Sequence, residues 1–198
     1  MMVALRFNEV ELTEKIEQLP TRLRTAFAAA CAERLTVAYA RFSALTGRGN
    51  LAAFKTILAR LWSDLIGTEM SHAEVEEQIK SCMKLIPHED EGPWVFEQAA
   101  AEDATAALAY VLRCRRGGQA REASWAARRA YEALDHFVRN QGQIDTSAAG
   151  AEARVLANPL VQCELARQER DIDELLRRVV TITQLKDRSS AEAATFLP

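Results

Sequence analysis

Apolar side chains recur at helical spacing along almost the whole chain. The clearest stripe lies between residues 51 and 66, where its members are Phe54, Ile57, Leu58, Leu61, Trp62 and Leu65. A period near 3.6 residues predicts an amphipathic helix with one buried face. No segment shows the sustained apolar-polar alternation of a half-buried strand. The pattern predicts an all-α fold, arranged as a single compact bundle of about seven to nine helices.

The composition supports the same fold class. The chain has 35 Ala among its 198 residues, but only 8 Gly and 5 Pro. Because Ala has the highest intrinsic helix propensity and Gly and Pro the lowest, this balance favours helix almost throughout. We expect one helical domain over residues 1–186 and a frayed tail over 187–198, unless Phe196 and Leu197 dock on the bundle.

The sequence offers no sign of export, of a membrane span or of a bound metal. The N-terminus lacks the pattern of a signal peptide, and no stretch approaches the about 18 apolar residues that a span needs. The cysteines lie far apart, at positions 31, 82, 114 and 163, and none of the three histidines has a partner at metal-ligand spacing. We expect a cytosolic protein with buried, reduced thiols, no metal and no cofactor.

Motifs of catalysis are missing as well. The chain contains neither a G-x-S-x-G nucleophile motif nor a G-x-x-x-x-G-K-[ST] phosphate loop nor a G-x-G-x-x-G dinucleotide motif. A single carboxylate such as Asp64 or Asp103 is weak evidence for acid-base chemistry, because a charged helical protein has many of them. We therefore predict no catalytic residue.

Charge is distributed unevenly along the chain, although the formal net charge is only -3. Residues 69–103 carry ten acids and two lysines, which gives -8, whereas residues 106–140 carry seven arginines and three acids, which gives +4. The two segments could neutralise each other across a helix interface. The acidic segment could instead dock a basic partner, and the arginines could contact nucleic-acid phosphates. The residues expected to bind a partner protein are Glu74, Glu77, Glu89, Asp90 and Glu91.

Three motifs together resemble a bacterial family, domain of unknown function 416. They are Phe27-Ala-Ala-Ala-Cys31-Ala-Glu33-Arg34-Leu35 followed by Tyr39 and Phe42; Thr46-Gly47-Arg48-Gly49 followed by Ile57-Leu58 and Trp62; and Asn158-Pro159-Leu160-Val161 with Glu164 and Gln168. The resemblance runs from about Arg22 to Leu176 and implies a compact helical bundle. It implies no reaction, because the family's activity is not established. The chain departs from the family pattern at Val37, Ser63 and Asn50, where the family has Pro, an acid and Asp.

The polar residues matched to the family form a second candidate site. They are Glu33, Arg34, Trp62, Glu164 and Gln168. They could line a cleft in which Arg34 holds an anion. They could equally form a structural network of ion pairs between packed helices, since semi-buried polar groups need partners.

Our first hypothesis is a non-enzymatic interaction protein with an acidic docking face, such as an inhibitor or an immunity protein that neutralises a toxin. The alternative is a small-molecule binder or enzyme that uses the polar cluster. A nucleic-acid binder driven by its arginines ranks third. A homodimer is also open, because the Ala-rich helix around 97–110 could pack within the monomer or across an interface.

Overall fold

The computed structural model of the chain describes residues 4–88, 90, 92–141, 144 and 147–198. These residues form ten α-helices and no strand, which confirms the all-α prediction. The helices are α1 (Glu9–Glu17), α2 (Thr21–Arg34), α3 (Thr36–Thr46), α4 (Leu51–Ile66), α5 (His72–Met83), α6 (Phe96–Gly117), α7 (Ala120–Asn140), α8 (Ala151–Leu156), α9 (Pro159–Arg177) and α10 (Ile182–Ala193).

Several helices begin at the residues that the sequence marks as caps. The Asn50 side chain accepts a hydrogen bond from the Ala53 amide at 2.9 Å and caps α4. Ser71 forms a capping box at the start of α5. Asn158 caps α9, whose first residue is the proline that follows. These caps satisfy amides that have no partner inside the helix, and so they fix where each helix begins.

Helix α2 lies at the centre of the bundle and packs against α6, α7 and α10. Its alanines at positions 26, 28, 29, 30 and 32 are fully buried. Small side chains let neighbouring helices approach α2 closely on several sides. The small face of α6, which includes Ala104 and Ala107, is also buried inside the monomer. This face packs within one chain and is not available to a second copy.

The C-terminal segment is not a frayed tail from Asp187, because Phe196 and Leu197 dock on the bundle, which is the alternative that the sequence analysis left open. Arg178 adopts a left-handed conformation and ends α9. Thr181 then caps α10 through a capping box. Phe196 is only 1% exposed, and the side chain of Arg41 donates hydrogen bonds to the last two backbone carbonyls. The tail is held because its apolar end docks on the bundle.

The four cysteines are free thiols, and three of them are buried as expected. Burial raises the pKa of Cys82 to about 12 and that of Cys114 to about 11, so both stay protonated at neutral pH. Cys163 on α9 is exposed, contrary to the expectation that every thiol would be buried. Its position on the helix faces solvent, whereas its neighbour Glu164 faces the core.

Candidate functional site

Arg34 lies at the centre of a buried ion-pair network. Its Nε lies 2.9 Å from Oε2 of Glu164, and its Nη1 lies 2.9 Å from Oδ2 of Asp171. Glu192, on α10, is a more distant partner at 3.4 Å. Arg34 and Glu164 are both 0% exposed. The network therefore joins α2, α9 and α10 inside the bundle, out of reach of solvent.

Further arginines neutralise the acids of this network from its outer side. Asp171 also receives hydrogen bonds from Arg170 at 2.7 Å and from Arg188 at 2.9 Å. Arg170 in addition pairs with Glu192 at 2.7 Å. Burial alone would lower the pKa of Arg34, but the charges of Glu164 and Asp171 hold it above its ordinary value. The buried positive and negative charges compensate one another, and the arrangement is not that of an open site for an anion.

The five residues of the predicted polar cluster fall into two groups. Gln168 joins Arg34 and Glu164, because its amide nitrogen donates to Glu164 at 2.8 Å and to the Ala127 carbonyl at 3.0 Å. Trp62 instead donates through its indole nitrogen to Glu33 at 2.8 Å. That pair shares no hydrogen bond with the Arg34 network in the described part of the chain. The predicted cluster is thus two separate structural contacts, and the one formed by Arg34, Glu164 and Gln168 is buried.

The loop 46–50 connects α3 to α4 and contacts residues far along the chain. Gly49 has a φ of +74°, and a Cβ placed there would lie 2.9 Å from the hydroxyl oxygen of Tyr39. That hydroxyl accepts a hydrogen bond from the Asn50 amide at 3.1 Å. The guanidinium of Arg48 lies 5.0 Å above the ring of Phe42. Only glycine fits at position 49, because any other residue would be strained at this positive φ and its Cβ would crowd the Tyr39 hydroxyl.

The acidic segment, residues 69–103, is only partly neutralised. Glu74 pairs with Arg60 at 3.2 Å. Glu77 and Asp90 are exposed and have no hydrogen-bond or ion-pair partner among the described residues. Two more residues predicted to bind a partner, Glu89 and Glu91, lie outside the described residues. In the same segment the side chain of Trp94 is 63% exposed.

Most arginines of the arginine-rich segment, residues 106–140, form ion pairs. Arg115 lies 2.6 Å from Asp64, Arg116 lies 3.1 Å from Glu76, and Arg129 lies 3.2 Å from Asp103. Glu76 and Asp103 belong to the acidic segment, so the acidic and the arginine-rich segments neutralise each other in part. Arg121 is different, because it stacks over a tryptophan ring at 4.8 Å and pairs with no acid in the described part of the chain. These pairs leave few arginines free to contact a phosphate backbone.

Two adjoining grooves flank the Arg115–Glu69 pair. Their volumes are about 360 and 430 Å³, and both are lined by Glu69 and Arg115. The cations that face them are already engaged, since Arg115 binds Asp64 and Arg22 donates to the Leu65 carbonyl at 2.8 Å. The grooves therefore present paired charges.

Asp103 is a mostly buried carboxylate at the contact between α6 and α7. Burial raises its pKa to about 6, and the hydrogen bond from Arg129 opposes that rise only in part. His136 lies 3.9 Å away on the same helix as Arg129. None of the described cavities is lined by Asp103. The residue is a titrating group at the contact between α6 and α7.

The described ranges contain no cluster suited to a metal ion, since no three or more of their His, Cys, Asp or Glu side chains are placed to hold one. Among the described helices, none has the length and apolar character needed to cross a bilayer.

The family model for proteins of unknown function named DUF416 matches residues 11–196. The chain belongs to the DUF416 family. A crystal structure of a DUF416 family protein from Shewanella baltica OS155 is similar to it, with a TM-score of 0.77 and 16% sequence identity. The alignment covers 92% of this chain and 93% of that chain. At this identity the likeness concerns the fold alone. None of the curated proteins compared matches the chain.

Sequence reasoning found part of the central network of this DUF416 protein and missed the rest. Arg34 and Glu164 were found through the family motifs. Asp171, Arg188 and Glu192 were missed, and two of these lie on α10, where we expected a frayed tail. The Thr181-x-x-Gln184 capping box was the signal that could have predicted α10 and, with it, acids and arginines facing α9.

Proposed function

We propose that this DUF416 protein is a non-enzymatic, cytosolic interaction protein that binds a basic partner protein through its acidic segment. The binding residues are Glu74, Glu77, Glu89, Asp90 and Glu91, and Trp94 adds an apolar contact. An inhibitor or immunity protein that covers a basic surface of a toxin would act in this way.

One observation carries the proposal. Glu77 and Asp90 are exposed acids without a partner in the described part of the chain. They lie in the segment 69–103, which carries ten acids and only two lysines. Unpaired charges of one sign speed the encounter with a partner of opposite sign and disfavour other partners. Their cost to the stability of the monomer is small because they are solvated.

Trp94 supports the same surface. An indole that is 63% exposed leaves a large apolar area in water. Tryptophan is enriched among the residues that dominate binding energy at protein interfaces. Met83, at the end of α5, is 50% exposed and adds apolar surface in the same stretch of chain. An acidic surface with an aromatic anchor fits a partner that presents arginine or lysine around an apolar centre.

The buried Arg34 network supports a structural role for the motif residues of this family. Arg34 and Glu164 are fully buried, so a ligand would have to displace α9 or α10 to reach them. Removing one member of such a network leaves an uncompensated buried charge. This favours a binding site on the surface over one in the sealed cluster.

The test is capture of a partner from a lysate of the source cells with three forms of the protein. The first is native, the second carries Glu77→Gln, Asp90→Asn and Trp94→Ala, and the third carries the control changes Glu14→Gln, Glu17→Gln and Val10→Ala. The control removes two exposed acids and one exposed apolar side chain elsewhere. We expect one basic protein, captured in stoichiometric amount by the native and control forms and lost from the second. Equal capture by all three forms would contradict the proposal.

A further inference from the structure

The loop 46–50 and its neighbour Tyr39 hold both ends of the segment 85–98. At the first end, the hydroxyl of Tyr39 donates a hydrogen bond to the Leu85 carbonyl at 3.0 Å. At the second end, Nη2 of Arg48 donates to the Pro93 carbonyl at 3.3 Å and to Oε1 of Gln98 at 3.0 Å. The Asn50 amide donates to the hydroxyl of Tyr39, which connects the two anchors through the loop itself.

The anchor at Arg48 depends on the shape of its guanidinium. One face of the group lies over the ring of Phe42, with 5.0 Å between its central carbon and the ring centroid. One edge reaches the two acceptors on the segment. Gln98 is only 1% exposed, and its own amide donates to Glu102 at 3.0 Å, so it is fixed in turn. A planar cation can stack and donate along its edge at the same time, which a lysine ammonium cannot do.

The segment between the anchors has little structure of its own. The described residues from 86 to 95 form no α-helix. Its conformation therefore depends on the contacts at its ends. Arg48 also lies close to Gly92, because a Cβ added to this glycine would lie 3.4 Å from the guanidinium of Arg48. Asp90 and Trp94, the exposed residues of the proposed interface, lie on this tethered stretch.

We propose that Arg48 is a positioning residue for partner binding, which holds residues 92–98, with the exposed Trp94 among them, in the shape that a basic partner recognises. This inference rests on the proposed function. Arg48 does not contact the partner. It acts by removing the need to order the segment when the complex forms, because ordering a flexible segment on binding weakens affinity.

Charge and positioning predict opposite effects of removing Arg48, which makes the inference testable. Arg48→Ala makes the surface more negative, so charge alone would strengthen binding of a basic ligand by a few fold at most. Loss of the tether would weaken it by about tenfold or more. Arg48→Lys keeps the positive charge but loses the planar group that stacks on Phe42 while its Nη2 donates to Pro93 and Gln98, so it should weaken binding as well. Arg116→Ala is the matched control, because it also makes the surface more negative by freeing Glu76 but touches neither anchor.

The experiment measures two properties of the native protein and of these three variants. The first is amide hydrogen exchange over residues 86–95. The second is the dissociation constant for a short synthetic peptide of alternating arginine and leucine. We expect faster exchange and weaker binding in Arg48→Ala and in Arg48→Lys, and slightly tighter binding with native exchange in Arg116→Ala. The thermal unfolding midpoint reports whether each variant remains folded, and exchange in α9 serves as an internal reference.

Each outcome decides a different point. If the native protein binds and Arg48→Lys binds equally well, the positioning role is wrong while the proposed function stands. If exchange over 86–95 is unchanged in both Arg48 variants, the tether is wrong. If the native protein binds neither the peptide nor a captured basic partner, the proposed function and this inference fall together. If it captures a basic partner without binding the peptide, the same comparison of dissociation constants is made with that partner.

Discussion

The guanidinium of Arg34 lies 2.9 Å from the carboxylate of Asp171, although 137 positions separate them in the chain. Both side chains are fully buried. This contact fixes the N-terminal half of the bundle to α9, and Asp171 in turn binds Arg188 of α10. A buried charge stays in the core only when partners surround it, so the three helices depend on one another.

Replacing Arg34 should therefore destabilise the protein strongly. Arg34→Ala leaves Glu164 as a buried carboxylate without a cation, while Asp171 keeps its contacts with Arg170 and Arg188. We expect a loss of about 3–5 kcal/mol in the free energy of unfolding. Urea denaturation followed by circular dichroism measures it. Arg128→Ala is the control, because the side chain of Arg128 is 47% exposed where it pairs with Glu132 at 2.7 Å, and its loss should cost less than about 1 kcal/mol. A loss of similar size in both variants would contradict a central role for Arg34.

The C-terminal segment provides a second test. Phe196 is buried, so Phe196→Ala should cost about 3–5 kcal/mol through lost apolar burial and the cavity that remains. A frayed tail would give almost no change. Val179→Ala removes an exposed apolar side chain from the connection between α9 and α10 and should be nearly neutral. The two free energies of unfolding, measured side by side, distinguish a docked end from a loose one.

The sequence predicted the parts of the molecule that local chemistry determines. The caps at Asn50 and Ser71 follow from the neighbouring residues alone. The partners of Arg34 do not, because they depend on which helix faces meet in the folded chain. The contacts of Arg48 with Pro93 and Gln98 could not be predicted either. Nothing in the motif Thr46-Gly47-Arg48-Gly49 indicates which distant segment Arg48 contacts.

Glycine at position 49 should be required. Its φ is +74°, and an added Cβ would lie 2.9 Å from the Tyr39 hydroxyl. We expect Gly49→Ala to lower the free energy of unfolding by about 1–3 kcal/mol through strain and crowding. Gly67→Ala is the control, since a Cβ added at Gly67 would meet no atom within 4 Å and its φ of 170° is extended backbone. Denaturation midpoints that fall equally in both variants would mean that the crowding at Tyr39 is not the cause.

Titration of Asp103 should make the free energy of unfolding depend on pH between pH 4 and pH 7. Its pKa of about 6 in the folded state lies above the ordinary value of 3.8. The folded state therefore binds more protons between these values, and the stability that Asp103 contributes below pH 4 is lost as the pH rises through 6. Asp103→Asn cannot ionise, so its stability relative to the native protein should rise from pH 4 to pH 7, by at most about 3 kcal/mol.

Urea denaturation of both proteins at several pH values measures this difference. Glu102→Gln, an exposed carboxylate one residue earlier, controls for the loss of a charge as such. A difference between Asp103→Asn and the native protein that stays constant over this range would show that burial does not raise the pKa of Asp103.

The central claim is that the acidic segment, and not the buried network, binds a partner. The most direct measurement is the dissociation constant of the captured partner for the native protein, for the Glu77→Gln/Asp90→Asn variant and for the Glu14→Gln/Glu17→Gln control, at low and at moderate salt. We predict that the first pair of substitutions weakens binding about tenfold or more, that the control does not, and that the difference shrinks as salt screens the charges. Equal dissociation constants for all three proteins at low salt would contradict the claim.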